Sequence, residues 1–220
     1  MPVHELLESA RAILLDADDT AIDTIGTQWP KHIHIAWKHY GKVLTPEEIR
    51  RYYGKPLGEY VCALYGTTNE EQAVAYSMQY RGQFPKKLFP FTIPALRCLR
   101  EAGLLLGVVT TSTRAGFDDD CRTLGLPAGL LDYTQTADES PYLKPDPRVF
   151  DPAKDWLEQR GIQPAEACYV GDSLDDGRAA LGARLGRFVG VETGLVDAAQ
   201  FRSAGMLSVP HLGHLVGVTD

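Results

Sequence analysis

The sequence predicts an α/β protein with a mainly parallel sheet covered by helices on both faces, and with a helical domain inserted into it. Five short apolar runs alternate with helical patterns along most of the chain, which is typical of parallel sheets. The stretch from residue 23 to residue 90 lacks strand signals and is too long for a loop. A chain of 220 residues can hold a core of ~150 residues and a smaller helical domain.

The core elements follow from apolar periodicity and from glycine and proline positions. Strands are predicted over 12–15, 104–109, 131–136, 168–171 and 188–191. Helices are predicted over 93–102, 115–124, 149–160 and 175–185, with Gly103, Gly125, Gly161 and Gly186 closing them. Three of the strands run into a carboxylate and one into a threonine. Because ligands bind at the carboxyl ends of parallel strands, these polar residues mark the candidate site.

The inserted stretch has a distinct composition as well as a distinct pattern. Helices are predicted over 25–40, 46–53, 57–64 and 70–84. It contains nine Lys and Arg residues and six Asp and Glu residues, whereas the whole chain carries a net charge of −7. The sequence therefore predicts a core domain of residues 1–22 and 91–220 and a helical domain of residues 23–90.

Composition excludes several classes of protein. A net acidic chain is a poor binder of nucleic acid, because that affinity comes from Lys and Arg at phosphates. No apolar run approaches the ~20 residues of a membrane span, and no signal peptide is recognisable, so we expect a cytoplasmic protein without membrane contact. The four cysteines are widely spaced and lack the pairing of a zinc site, which predicts reduced thiols.

Acidic residues follow two of the predicted strands. Asp16 and Asp18 alternate directly after the first strand, and Asp172 and Asp176 follow the fourth. Two carboxylates held this close repel each other unless a cation lies between them. Each pattern alone is also typical of a solvated turn or a helix cap.

Neutral and basic groups complete the pattern. Thr110 and Thr111 follow the second strand and precede a helix whose first amides can receive an anion, and Lys144 stands between apolar residues and prolines. With the aspartates, these side chains would form a charge-balanced pocket for phosphate and Mg²⁺.

The ordered motifs resemble those of the haloacid dehalogenase superfamily. The matches are Asp16-Ala-Asp18-Asp-Thr20, Thr110, Lys144 in Lys-Pro-Asp-Pro, and Gly171-Asp172-Ser-Leu-Asp-Asp176. The resemblance spans residues 12 to 194 and implies a Rossmann-like three-layer α/β/α core. The insertion resembles the C1-type helical cap of phosphoglycolate phosphatases, β-phosphoglucomutases and phosphonatases. Asp19 stands where glycine is commonest in the family, and Ala21 stands where a large aliphatic residue is usual.

The resemblance implies a Mg²⁺-dependent phosphatase acting on a small phosphorylated metabolite, as a monomer or homodimer. Asp16 would be the nucleophile that forms an aspartyl-phosphate, and Asp18 the general acid and base. Thr110, Thr111 and Lys144 would bind phosphate. The metal would be held by Asp16, Asp18 through its main-chain carbonyl, Asp172 and Asp176.

Several alternatives remain open from the sequence. An acid at position 18 disfavours dehalogenases and phosphonatases, although Lys55 lies where phosphonatases carry a Schiff-base lysine. Gln28 stands where β-phosphoglucomutases carry a histidine, which disfavours a mutase. Receiver domains of signalling proteins and a catalytically inactive binding protein are the non-enzyme alternatives, and Asp18 speaks against a long-lived phospho-aspartate.

Four further residues are weaker candidates. Gly54 and Lys55 are predicted to lie in a substrate-specificity loop of the helical domain. Ser112 and Arg114 lie beside Thr110 and are candidates for contact with phosphate or with the leaving group. For Ser112 a helix-capping role is the preferred prediction.

Overall fold

The computed structural model describes residues 4–53, 55–127 and 129–218. Within these ranges the strands are β1 (Ala12–Leu15), β2 (Ile22–Asp23), β3 (Lys87–Leu88), β4 (Leu105–Val109), β5 (Tyr133–Gln135), β6 (Ala167–Gly171), β7 (Arg187–Val191) and β8 (Leu207–Val209). The α-helices are α1 (Ile25–Tyr40), α2 (Pro46–Tyr52), α3 (Leu57–Tyr65), α4 (Glu70–Gln79), α5 (Thr92–Glu101), α6 (Arg114–Leu124), α7 (Asp151–Glu158), α8 (Leu174–Gly182) and α9 (Ala198–Ser203).

The main sheet has six strands in the order β5-β4-β1-β6-β7-β8, and every neighbouring pair is parallel. The predicted α/β fold with a parallel sheet is therefore confirmed. β2 and β3 form a separate two-stranded sheet. The five predicted strands correspond to β1, β4, β5, β6 and β7, with ends within two residues of the prediction.

Both faces of the sheet are covered, as β1 shows. Its four residues are all buried, with Ile13 and Leu15 in one apolar cluster and Leu14 in another. The first cluster includes residues of α5 and α6, and the second includes residues of α7, α8 and α9. Because successive strand residues point to opposite faces, this alternation gives a three-layer α/β/α core.

The chain divides into two compact units, Met1–Asp23 with Leu88–Asp220 and Thr24–Lys87. The second unit has its own apolar core around Ile35, Ile49 and Leu64, which are fully buried. A capping box between Thr45 and Glu48 fixes the start of α2. This unit thus has the local helix signals and the core that a small helical domain needs.

Some predicted boundaries are wrong for identifiable reasons. The helix predicted over 149–160 begins at Asp151, after a 3₁₀ turn that starts at a proline, Pro147. The helix predicted over 70–84 ends at Gln79 and gives way to a 3₁₀ turn. Helix α9 and edge strand β8 were not predicted at all, since they hold only six and three residues.

Gly186 was predicted to close a helix, and this is wrong. Its backbone is not left-handed, whereas the backbones of Gly103, Gly125 and Gly161 are. A Cβ at Gly186 would lie 1.9 Å from the carbonyl oxygen of Ala165. Close approach of two backbone segments is therefore what requires glycine there.

None of the helices in the described ranges is long and apolar enough to cross a bilayer. The four cysteines are free thiols, of which Cys168 is buried and Cys62, Cys98 and Cys121 are half-buried.

His32 makes the stability of the helical unit dependent on pH. The ring is buried, and its Nδ1 lies 2.8 Å from the Tyr65 hydroxyl. Burial, with a smaller effect of Lys31, lowers the pKa of His32 to about 3. The unfolded chain therefore takes up this proton first as pH falls, so the stabilisation present above pH ~6.5 is lost toward pH 3.

We expect the free energy of unfolding to fall by about 2 kcal/mol between pH 7 and pH 5 because of this residue. Urea unfolding followed by circular dichroism at the two pH values measures the change. His32→Gln should remove that part of the pH dependence. The same pH dependence in variant and wild type would contradict the assignment.

Candidate active site

Three loops that carry the predicted site residues lie side by side at one edge of the main sheet. Asp16 directly follows β1, Thr110 follows β4 and Asp172 follows β6. In the sheet β1 lies between β4 and β6, and all three strands are parallel. The chain leaves β1 toward β4 on one side and returns to β6 on the other, which makes this edge a topological switch point.

Lys144 is the centre of the site's hydrogen-bond network. Its Nζ lies 2.5 Å from Asp16 Oδ1, 2.7 Å from Asp176 Oδ1 and 2.8 Å from the Tyr169 hydroxyl. The side chains of the two ion pairs are at most 9% exposed. A buried ammonium with this many acceptors is a fixed positive charge beside the predicted nucleophile.

The electrostatics of the pair follow from burial and from the number of carboxylates. Burial opposes the charge on Lys144, but Asp16 and Asp176 outweigh it and hold the pKa of Lys144 well above its usual value. Burial raises the pKa of Asp16 to about 7 against the opposing effect of Lys144, and Asp176 and Asp18 add to the rise. The site therefore holds more negative charge than its one ammonium neutralises.

Asp172 is buried in the same environment. Burial raises the pKa of its carboxyl well above the usual value, and Asp176, Asp16 and Asp19 raise it further. Its carboxylate accepts no hydrogen bond from the residues that the structure describes. A Cβ at Gly194 would lie 2.0 Å from Asp172 Oδ2, so the loop after β7 packs directly on this carboxylate.

Asp176 is held from two sides. Its Oδ1 accepts from Lys144, and its Oδ2 accepts from the backbone N–H of Ser173 at 3.0 Å and from the Ser173 hydroxyl at 2.7 Å. The Ser173 hydroxyl in turn accepts from the Asp176 N–H, which forms a capping box at the start of α8. Both Asp176 oxygens are therefore engaged within the protein.

The carboxylates of the site are the possible donors for a divalent cation. In the described part of the chain, no three His, Cys, Asp or Glu side chains form a metal-binding group. Asp16 and Asp172 keep unshared carboxylate oxygens, and a hard cation with oxygen ligands and retained water would stabilise the charged forms of these carboxyls, which burial disfavours. The set therefore fits Mg²⁺ with the carboxylates of Asp16 and Asp172 and a main-chain carbonyl better than with the Asp176 carboxylate as a further direct ligand.

Asp18 accepts a hydrogen bond from the Ser112 hydroxyl, whose Oγ lies 3.2 Å from Asp18 Oδ2. The predicted capping role of Ser112 is wrong, because Thr113 is the N-cap of α6 and accepts from the Gly116 N–H. The Thr110 hydroxyl accepts from the Ser112 N–H at 3.1 Å. The loop after β4 thus links a predicted phosphate ligand to the predicted acid.

The remaining candidates have these positions. Thr111 is exposed in the loop after β4. Arg114 donates to Glu139 and to the Thr134 carbonyl, contacts within the core unit. Lys55 is exposed and forms an ion pair with Glu59, whereas Gly54 lies outside the described residues.

Asp19 occupies the position where the family most often has glycine, and the backbone explains why. Its φ of 57° lies in the left-handed region that glycine adopts without strain and aspartate tolerates. The Thr193 hydroxyl donates to the Asp19 carbonyl oxygen. The aspartate therefore keeps a backbone conformation typical of glycine.

We expect Asp19→Gly to be more stable than Asp19→Ala by about 1 kcal/mol. Both variants lose the carboxylate and its contacts, so their difference isolates the left-handed backbone. Urea unfolding of the two variants at pH 7 measures it. Equal stabilities would show that φ at this position carries no strain.

Sequence reasoning missed three contributors to the site: Tyr169, Thr193 and Gly194. Tyr169 lies in β6, whose five residues are all buried, so a hydroxyl inside a buried strand was the available signal. Thr193 and Gly194 lie in the loop after β7 and belong to none of the four motifs. Their contacts with Asp19 and Asp172 depend on packing between distant loops.

Comparison with known proteins agrees with this geometry. A model of the haloacid dehalogenase-like hydrolase family matches residues 13–190. The pyrophosphatase PpaX of Bacillus velezensis is 28% identical over 167 residues, 75% of this chain and 76% of that protein. A phosphoglycolate phosphatase of Nitrosospira multiformis is 30% identical over 190 residues, 79% of each chain.

A solved structure gives the same result for the fold. The crystal structure of a haloacid dehalogenase-like hydrolase from Bacteroides fragilis has a TM-score of 0.77 and 25% identity, and the match covers 94% of this chain and 100% of that one. The family match covers most of the chain, and the related sequences are phosphatases by name. The chain therefore belongs to the haloacid dehalogenase-like hydrolase family, within which it is a phosphatase.

Proposed function

We propose that this phosphatase is a Mg²⁺-dependent phosphomonoester hydrolase of small phosphorylated metabolites that works through an aspartyl-phosphate on Asp16. The observation that carries the proposal is the buried contact of 2.5 Å between Lys144 Nζ and Asp16 Oδ1 at the carboxyl edge of the sheet. It places a cation beside a carboxylate that would otherwise repel a phosphate dianion.

Asp16 would attack phosphorus in line and displace the leaving group as an alkoxide. This step leaves an acyl phosphate on Asp16. Its Oδ1 accepts from Lys144, so the orientation of the carboxylate is fixed before substrate binds. Water would then attack the same phosphorus and release Asp16 as a carboxylate. Two displacements of this kind replace one difficult attack of water on a dianion.

Asp18 would give its proton to the leaving alkoxide and later take one from the attacking water. The Ser112 hydroxyl, 3.2 Å from Asp18 Oδ2, orients the carboxyl group for both roles. An acid at this position also favours an enzyme over a receiver-like switch, since it shortens the life of the acyl phosphate.

Lys144 and the Thr110 hydroxyl would hold the non-bridging oxygens of the phosphoryl group. Asp16, Asp172 and the Asp18 carbonyl are the proposed Mg²⁺ ligands, and Asp176 would act through Lys144 and water because both its oxygens are engaged. When bound, the metal supplies positive charge that lowers the repulsion between nucleophile and substrate.

The substrate class rests on the related sequences and on the helical unit. The names of the two relatives give pyrophosphate and phosphoglycolate as first compounds to test. We propose that the unit Thr24–Lys87 is a cap domain that selects the leaving group, with Gly54 and Lys55 in its specificity loop. The alternative is a β-phosphoglucomutase-like phosphotransferase, which would use the same aspartyl-phosphate chemistry. We expect a cytoplasmic monomer or homodimer without nucleic-acid or membrane partners.

The test is hydrolysis of p-nitrophenyl phosphate, followed by a screen of metabolite phosphates that includes both compounds. Activity should require Mg²⁺, disappear with EDTA and return when Mg²⁺ is added back. A protein that is folded but releases no phosphate from any compound would contradict the proposal. Stable phosphorylation without turnover would favour a switch instead.

A further inference from the structure

Lys144 has a hydrogen-bond partner, Tyr169, that has no part in the proposed mechanism. An ammonium has three N–H donors, and the three shortest contacts of this one are with Asp16, Asp176 and Tyr169, while the Val109 carbonyl oxygen is a more distant fourth acceptor at 3.3 Å. Asp16 and Asp176 are both charged site residues. Tyr169 is a neutral group within a strand, and the mechanism assigns it no part.

Tyr169 is built into the sheet beneath the site. It is fully buried in β6, and its backbone is paired with Leu14 of the neighbouring β1. Its ring packs edge-on against Phe150, with ring centroids 4.8 Å apart. Both contacts hold the ring in place independently of Lys144.

The direction of its hydroxyl is also fixed. The hydroxyl donates to the Val109 carbonyl oxygen at 2.9 Å, which is nearer than Asp176 Oδ1 at 3.5 Å, and the bond to Val109 directs an oxygen lone pair toward Lys144. Val109 is the last residue of β4, directly before Thr110. One hydroxyl therefore connects β6, the end of β4 and the ammonium.

We infer that Tyr169 is a positioning residue that aims the Lys144 ammonium at the nucleophile and the phosphoryl group. Tyr169 and Asp176 hold two of the three N–H groups, and the third is directed at Asp16, whose Oδ1 at 2.5 Å is nearer than the Val109 carbonyl oxygen at 3.3 Å. A neutral acceptor does this without adding a third carboxylate in contact with the ammonium. The inference rests on the proposed function, because it acts through the proposed role of Lys144.

Tyr169→Phe tests the inference, since it removes the hydroxyl and keeps the ring. We expect kcat/KM for p-nitrophenyl phosphate in Mg²⁺ to fall about tenfold or more, the loss typical of a hydrogen bond to a charged group. Tyr133→Phe is the matched control. It removes a hydroxyl that bonds Gln135 Oε1 at 3.0 Å within β5, and it should leave kcat/KM unchanged.

A double-mutant cycle separates positioning from a general loosening of the core. The readout is the affinity for inorganic phosphate in Mg²⁺, measured by calorimetry, which does not need turnover. Tyr169→Phe should weaken phosphate binding in the wild type and have no further effect in Lys144→Met. Equal weakening in both backgrounds would overturn the inference, as would wild-type kcat/KM in Tyr169→Phe.

The experiments distinguish a failure of this inference from a failure of the proposed function. An inactive wild type would contradict the proposed function, whereas an active wild type with an equally active Tyr169→Phe contradicts only this inference. If Tyr169→Phe does not fold by near-UV circular dichroism, Tyr169→3-fluorotyrosine replaces it. That variant keeps the size of the residue but weakens the hydroxyl as an acceptor, so kcat/KM should fall severalfold. An unchanged value would overturn the inference.

Discussion

Asp16→Asn is expected to abolish turnover, with a loss of kcat of about 10⁴-fold or more. The carboxamide has nearly the shape of the carboxylate and can still accept from Lys144 through its oxygen, but it is not a nucleophile toward phosphorus. The variant should therefore bind phosphate esters and not hydrolyse them. Steady-state release of p-nitrophenol in Mg²⁺ measures the effect.

The fold should survive this change, because one charge is removed from a site with excess carboxylate. Asp175→Asn is the matched control. Asp175 is next to Asp176 on α8, but it is exposed, and among the described residues its ion pair is with Arg178 at 2.8 Å. We expect the control to keep wild-type kcat. Comparable activity in Asp16→Asn and in the wild type would contradict the nucleophile assignment.

Lys144→Met is expected to reduce both stability and activity. Removal of the ammonium leaves Asp16 and Asp176 buried without their counter-charge, which typically destabilises a protein by about 3–5 kcal/mol. Turnover should be lost as well, because the repulsion between nucleophile and phosphate is no longer offset. Urea unfolding at pH 7 and p-nitrophenyl phosphate turnover are the two measurements.

Lys154→Met supplies the matched control for stability. Lys154 forms an ion pair with Asp151 at 2.7 Å, but this pair lies at the surface and should contribute less than about 1 kcal/mol. In addition, Asp16→Asn should recover part of the stability lost in Lys144→Met, because it removes one of the two unpaired charges. A further loss in the double variant would argue that the lysine does not stabilise through Asp16.

The parts of the site that could be predicted from sequence are those whose position follows from strand ends. Asp16, Thr110 and Asp172 each come directly after a buried apolar run, so parallel strand order alone brings them to one edge. Lys144 could be predicted as a partner only through its motif. It lies 128 residues from Asp16 and in no strand or helix.

The contacts that could not be predicted depend on register and loop packing. The bond from Lys144 to Tyr169 requires that β6 present residue 169 beneath the site, which the register between β1 and β6 decides. Contact between Gly194 and Asp172 joins two loops that no local pattern connects. Likewise, the short edge strand β8 has a single buried residue, so its periodicity is too weak to read.

The most direct test of the central claim is to trap the phosphorylated enzyme in Asp18→Asn. p-Nitrophenolate leaves without protonation, so Asp16 can still be phosphorylated, whereas hydrolysis of the acyl phosphate lacks its base. Acid quench after mixing with p-nitrophenyl phosphate and Mg²⁺, followed by intact-mass and peptide analysis, should show one phosphoryl group on Asp16. A folded variant that releases p-nitrophenol but carries no phosphoryl group, or carries it on another residue, would contradict the account.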